Sequence, residues 1–293
     1  VPSILNEGKR DGKLYSFQDF IVTVVLAYRT DLFQEAGIAE PKSWEDVLAA
    51  AKQLNKPGEM AGIVMPGKRT GATMDVFTSL LLGCGGWYFD DAGKVAIDTP
   101  CALEAMQFYA EASKYAPEGV LNFHWDETVT AAAQGKAAMA ICMTPNVAWF
   151  SDPARSSTVG KWGYVPLTYK GTPAGVFEFW HLCLSADSKN PEAAYRLMRF
   201  LADGPQQAAM APQTSTAGST KDFYTDASLA EKLPILPVMN AALSHSKAPP
   251  AIKEWTELQD RIELAVQNAM SGKETPEQAV KNLQADMAKI MGQ

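Results

Sequence analysis

Residues 12–54 read GKLYSFQDFIVTVVLAYRTDLFQEAGIAEPKSWEDVLAAAKQL, and this run decides the fold. Phe20 to Tyr28 is apolar and β-branched, too short to span a membrane and suited to a strand buried on both faces. Asp31 to Ala36 reads as a short helix stopped by Gly37. Pro41 resets the chain, and Ser43 stands as N-cap to WEDVLAAAKQL, with Glu45 and Asp46 in the first turn, where acids complement the helix dipole. A strand feeding two helices is an α/β unit.

The totals widen that reading. With 293 residues and 47% hydrophobic composition, the chain can bury a large core, expected as two lobes. The net charge is −7 with no run of Lys or Arg, which disfavours nucleic acid or an anionic membrane and favours a small neutral partner. No stretch approaches the roughly 20 apolar residues of a membrane helix, and VPSILNEGKRDGK at the start is not a signal peptide. Cys84, Cys101, Cys142 and Cys183 form no CxxC, and His124, His181 and His245 are scattered, so neither a zinc site nor a cofactor is expected. Cys142 and Cys183 lie in apolar runs and read as small buried thiols.

Further along, Ala61 to Met65 reads as a strand and Met74 to Leu82 as an apolar helix. Gly83-Cys84-Gly85-Gly86 follows a helix and lacks GxGxxG spacing, so it reads as a C-cap and turn. Thr99 and Pro100 open a helix running to Ala116. Asn190 caps another, with Pro191 at N1. Met210 to Thr220 reads as a polar loop, and Thr275-Pro276-Glu277-Gln278 as a capping box. In Phe177 to Ser185 the period of two puts Glu178 and Trp180 on one face and His181 on the other.

The wording of several segments resembles the extracellular solute-binding proteins that feed ABC importers, in the sugar-binding group around maltose-binding protein. Tyr28, Arg29, Asp31, Leu32, Phe33, Ala36, Gly37, Pro41, Trp44 and Leu54 carry the first match. Gly85, Gly86, Phe89, Asp90, Asp91, Gly93 and Lys94 carry the second, and Gln134 to Met139 the third, with Ala133 in place of the family's phenylalanine. The family's proline near the first crossing is absent, and Tyr15-Ser16-Phe17-Gln18 occupies its place.

The resemblance implies an α/β fold of the two-lobed periplasmic-binding-protein type II architecture, with the opening part of the first lobe absent from this chain. Residues 1–26 would form the first crossing at the hinge, 27–177 the second lobe, 178–226 the crossing strand and return to the first lobe, and 227–293 the C-terminal helices of the second lobe. A returning strand and helix without their sheet would expose apolar edges; the chain is accordingly expected to be processed, truncated or partial.

The implied function is capture of a neutral carbohydrate or polyol between closing lobes by a monomer, in the periplasm or outside the cell with a lipid anchor as one form, and delivery to permease subunits. Contacts carried over by position are Gln18 and Asp19 at the first crossing, Thr73 and Asp75 before the apolar helix, Asn146 and Trp149, and Glu178 with Trp180. Trp149 stands three residues from the family's sugar-stacking tryptophan; it reaches the cleft if a helix starts near Pro145, and is otherwise a core residue. Export would favour a Cys84–Cys101 disulfide, since Cys101 begins a helix, where a thiol is activated; two free thiols are the alternative. Two rival readings remain: an interaction module, and a carbohydrate-active enzyme using Asp90/Asp91, Asp126/Glu127 and Glu178 as paired carboxylates, although no GxSxG or HExxH accompanies them.

Overall fold

In the computed structural model, which describes residues 8–218 and 220–293, one long strand organises the chain. A two-strand ribbon, β1 (Lys9–Arg10) and β2 (Lys13–Leu14), precedes β3 (Ser16–Arg29). Five helices follow: α1 (Thr30–Glu35), α2 (Trp44–Leu54), α3 (Gly71–Gly83), α4 (Pro100–Ser113) and α5 (Trp125–Ala133). Strand β4 (Met139–Met143), helix α6 (Val147–Ser151), and strands β5 (Trp162–Tyr169), β6 (Thr172–Ala174) and β7 (Phe177–Cys183) come next. The rest is helical: α7 (Pro191–Leu201), α8 (Gly204–Thr214), α9 (Lys221–Thr225), α10 (Ala227–Lys232), α11 (Leu236–Leu243), α12 (Trp255–Met270) and α13 (Pro276–Ile290).

The two halves of β3 have different neighbours. Its C-terminal half lies between β4 and β5, both antiparallel, with Leu26 opposite Ile141 on one side and Val165 on the other. Its N-terminal half pairs with β7. Alternate β3 side chains supply two cores: Val22, Val24, Leu26 and Tyr28 join α2, α3, α4, α12 and α13, while Ile21, Val25 and Ala27 face α5, α6 and the segments after Ala211. Burial on both faces is what a β-branched run without polar alternation requires.

The local signals act as their chemistry demands. Gly37 takes φ +67° after α1, and the Ile38 N–H donates to the Phe33 carbonyl at 2.8 Å. The hydroxyls of Ser43, Thr99 and Thr275 accept from the N–H groups of Asp46, Ala102 and Gln278 at 3.1, 3.2 and 3.2 Å.

Four expectations need correction. Met210 to Thr214 is helical, the end of α8, because an Ala- and Gln-rich segment propagates a helix past Pro212; only then does the chain straighten, with Ala217 bridging Ile21. Ala61 to Met65 is no regular strand, although Ala61 and Val64 make parallel bridges to Ala137 and Ala140. Asn190 makes no side-chain cap. Cys183, at the end of β7, is exposed, whereas Cys142 is buried and its thiol pKa is pushed up to about 12 by burial. The opening residues read as lacking a signal peptide lie largely outside the described residues.

Apolar surface gathers at the β3–β7 end. Helix α7 buries none of its residues, and Tyr195, Leu197 and Phe200 are exposed together with Leu14, Tyr15, Trp180 and Leu184. Tyr195 packs against Phe17, ring centroids 5.7 Å apart.

Candidate functional site at the crossing strands

The register of β3 against β7 sets which side chains emerge together. Val22 stands opposite Glu178 and Phe20 opposite Trp180; a shift between Gln18 and Phe20 leaves Asp19 in a bulge, with Gln18 opposite His181. Trp180 stacks on Phe20 at 5.7 Å with 22° between the rings, and 56% of it is exposed. His181 points to the other face, where its Nδ1 shares a hydrogen bond with the Ser16 hydroxyl at 2.9 Å.

Helix α3 brings Asp75 to the Glu178 side. Thr73 is fully buried, and its hydroxyl donates to the Lys68 carbonyl at 2.6 Å, tightening the start of α3. Asp75, two residues on, is 3% exposed and lies within hydrogen-bond reach of Glu178. Glu263 of α12 approaches from the next helix, buried, and accepts from Gln259 Nε2 at 2.8 Å. Asp75 Oδ1 is buried and has no hydrogen-bond partner.

Three carboxyls in one interior place cannot all ionise cheaply. Burial pushes the Asp75 carboxyl well above the usual carboxylate range, and the neighbouring Glu178 and Glu263 push it further. Burial also raises Glu178 and Glu263. The upward push is strongest on Asp75, which favours its protonated form as the donor toward Glu178. Because the folded state holds a proton that the unfolded chain releases near the ordinary value of 3.8, stability falls as pH rises from there through the raised range. Asp75→Asn removes that penalty: its Tm is expected above that of the parent at pH 8, with the gap closing toward pH 4. Melting curves at the two pH values check this, and a gap independent of pH would contradict it.

Two of the remaining positions share a cavity. Asp19 and Trp149 line a cavity of about 370 Å³ with Pro145, Gln207, Thr214 and Thr216. Gln207 Nε2 donates to the Asp19 carbonyl at 2.6 Å, and burial raises the Asp19 carboxyl. A 3-10 turn at Thr144–Asn146 leads directly into α6, so Trp149 does ride on a helix begun near Pro145, with the Arg155 guanidinium 4.4 Å over its ring. The side-chain amide atoms of Gln18 and Oδ1 of Asn146 are buried without partners. Asp75 therefore comes to Glu178, and Asp19 and Trp149 share a cavity that Phe20, on which Trp180 stacks, also lines; among the described residues no side-chain contact brings Thr73, Gln18 or Asn146 to either.

Sequence reasoning missed Glu263 and Gln259. The signal was present: Glu263 sits beside Ile262, Ala265 and Val266 in the apolar stripe of α12. It missed Trp255 as well, which meets Tyr88 edge-on at 5.6 Å beside the Trp87 ring.

One acid of each adjacent pair in the enzyme reading is engaged in backbone work. Asp90 Oδ1 accepts from the N–H groups of Ala92 and Lys94 at 3.0 and 2.8 Å, and Glu127 accepts from the His124 N–H at 2.9 Å. Among the described residues no group of three or more His, Cys, Asp or Glu is placed to hold a metal ion, and no helix is long and apolar enough to cross a membrane. Cys84 and Cys101 form a disulfide with Cα atoms 5.7 Å apart, tying the end of α3 to the start of α4.

This mixed architecture of helices and sheet matches that of the two-lobed binding proteins of the maltose-binding type. The chain belongs to the bacterial extracellular solute-binding protein family, whose family model matches residues 1–208. It is 28% identical over 305 aligned residues to a probable ABC transporter-binding protein of Deinococcus radiodurans, covering 99% of this chain and 72% of that protein. The maltose-bound MalE3 of T. maritima superposes with a TM-score of 0.90 at 26% identity, covering 99% of this chain and 76% of that one. An ABC transporter solute-binding protein of Agrobacterium radiobacter K84 in complex with ribitol gives 0.85 at 28% identity, covering 99% and 75%. The family and these neighbours are binding proteins.

Proposed function

We propose that this chain is the solute-binding component of an ABC import system and captures a carbohydrate or polyol by closing two lobes about the β3–β7 crossing. In this reading residues 27–177 and 227–293 build one lobe, residues 178–226 return to the other, and residues 1–26 make the first crossing. The observation that carries it is the pairing of an acid and an exposed aromatic on one face of β7: Glu178, reached by Asp75, beside Trp180 stacked on Phe20. A sugar or polyol presents hydroxyls to such acids and C–H faces to such a ring. The ribitol and maltose named for the structural neighbours support the ligand class. Work outside the cell membrane, with permease subunits as partners, follows from the same reading.

A thermal-shift screen against monosaccharides, sugar alcohols and disaccharides tests it, with the mixtures assayed afterwards for product. Ligand at a hundredfold excess over Kd adds roughly 2.7 kcal/mol of stability. A shift with unchanged ligand is expected; product formation would move the reading to an enzyme. Trp180→Ala, at an exposed position, is expected to alter stability by less than about 0.5 kcal/mol. It should weaken binding by about 2 kcal/mol, roughly thirtyfold, as removal of a central aromatic anchor does. Calorimetry on the ligand found in the screen checks this, and unchanged affinity would place the ligand elsewhere.

A further inference from the structure

We propose that the groove where α2, α4 and the α12–α13 turn meet is a docking site for a basic polypeptide segment, one that carries an apolar side chain flanked by two lysines or arginines. None of the residues lining this groove belongs to β3 or β7, and the inference does not depend on what the crossing strands bind. The groove encloses about 930 Å³. Helix α4 is its floor, α2 one wall and the turn between α12 and α13 the other, since α4 packs against all three helices. Glu104, Gln107, Glu111 and Lys114 follow one another at spacings of three and four and so share the floor face of α4. At 1.5 Å per residue that floor is about 15 Å long, which an extended segment of about five residues spans.

Three features fix the chemistry of the occupant. The middle of the groove is apolar and aromatic: the Trp44 ring lies 5.5 Å from that of Phe108 and 4.6 Å from that of Tyr169, with Leu48 and Met270 lining the same space. The rim is acidic, and its two lysines are already engaged. Lys114 Nζ holds Glu111 at 2.5 Å, while Lys170 Nζ stands 3.9 Å from Glu104 and 4.6 Å from the centre of the Tyr169 ring. That leaves an acid on each wall without a cation. Glu45 is exposed and makes no ion pair among the described residues, and the Glu274 carboxylate accepts from the neutral amide of Asn282 at 3.1 Å. Third, Trp44 is 4% exposed, and its indole N–H is buried without an acceptor among the described residues.

A basic peptide answers all three at once. Its backbone carbonyl is an acceptor for the indole N–H, a group that can only donate and is costly to bury unpaired. Because Nε1 lies below the groove surface, the carbonyl reaches it as the side chains above it yield. The apolar side chain covers the rings, and the two cations meet Glu45 on one wall and Glu274 on the other. Lys170 shows the groove holding a cation in this way, by a carboxylate and a ring face together. Nucleic acid or an anionic lipid surface would bring like charge to the acids, and a sugar brings neither the cations nor the apolar side chain.

The test is an NMR titration of the whole isotope-labelled chain with three end-capped peptides: GRGLGRG, its acidic counterpart GEGLGEG, and GRGSGRG, which lacks the apolar anchor. GRGLGRG is expected to move the Trp44 signals, the indole N–H among them, together with those of the α4 floor. It should bind at least tenfold tighter than either control and weaken at least threefold between low and physiological salt. The double variant Glu45→Gln/Glu274→Gln is expected to lose at least fivefold in affinity, and Trp44→Phe, which keeps a ring and removes the N–H, at least threefold; circular dichroism melts verify that both are folded. Shifts confined to another face, equal binding of the acidic peptide, or an affinity untouched by the double variant would overturn the docking assignment. So would the absence of any shift with GRGLGRG at millimolar concentration.

Discussion

Gly62→Ala is expected to cost about 3 kcal/mol or more, a fall in Tm of roughly 6–10 °C. A Cβ on Gly62 would stand 1.9 Å from the Ala51 carbonyl oxygen and 2.6 Å from its carbon, so backbone, not a pliable side chain, has to move. The Gly62 N–H is held at 2.9 Å from the Tyr115 carbonyl and 3.1 Å from Asn55 Oδ1, which leaves the segment little freedom to retreat. The strain passes on to the Val64 N–H, which donates to Met139 of β4 at 2.9 Å, and to the loop that starts α3 and with it Asp75. Thermal unfolding of the variant checks the magnitude, and the ligand screen shows whether the displaced α3 weakens binding as well. A Tm within about 2 °C of the parent would show that α2 yields more easily than its packing suggests.

The second large effect comes from the Cys84–Cys101 bridge. It closes a loop with a sequence separation of 17, and its loss releases chain entropy in the unfolded state worth about 3 kcal/mol. The double variant Cys84→Ser/Cys101→Ser is expected to melt roughly 6–10 °C lower than the oxidised parent. Reductant should lower the parent to the level of the variant and leave the variant unmoved. A parent indifferent to reductant would contradict the assignment. Cys142 does not confuse the comparison, since its thiol is buried and held neutral.

What could be read from residues alone follows the range of the interactions involved. Strand β3, the helices capped by Ser43, Thr99 and Thr275, and the turn at Gly37 are written in contiguous residues whose preferences agree with their surroundings. The end of α8 was hidden because Met210 to Thr214 has the polar, proline-containing composition of a loop and is helical by continuation from Gly204. Cys183 sits at the last position of β7, where strand composition says nothing about whether a neighbour covers the side chain. For the site, the period of two placed Glu178 with Trp180 and turned His181 away. It could not say that Asp75 would come to Glu178, or that Asp19 and Trp149 would share a cavity, because those meetings depend on the register of β3 against β7 and on the packing of the helices around it.

The 14 residues of β3 are shared by two sets of neighbours, and the bulge at Asp19 lies in the half that pairs with β7. At about 3.3 Å per residue, Arg29 stands some 33 Å from that bulge, so a bend of roughly ten degrees there swings the far end through about 6 Å. In the proposed closure the strand would act as a lever whose fulcrum is the bulge at Asp19. At its long end Arg29 pairs with Asp31 at 2.6 Å, and Lys161 stands 3.5 Å from the same carboxylate, a charged tip on which an angular change too small to rearrange any core becomes a displacement of a residue's width.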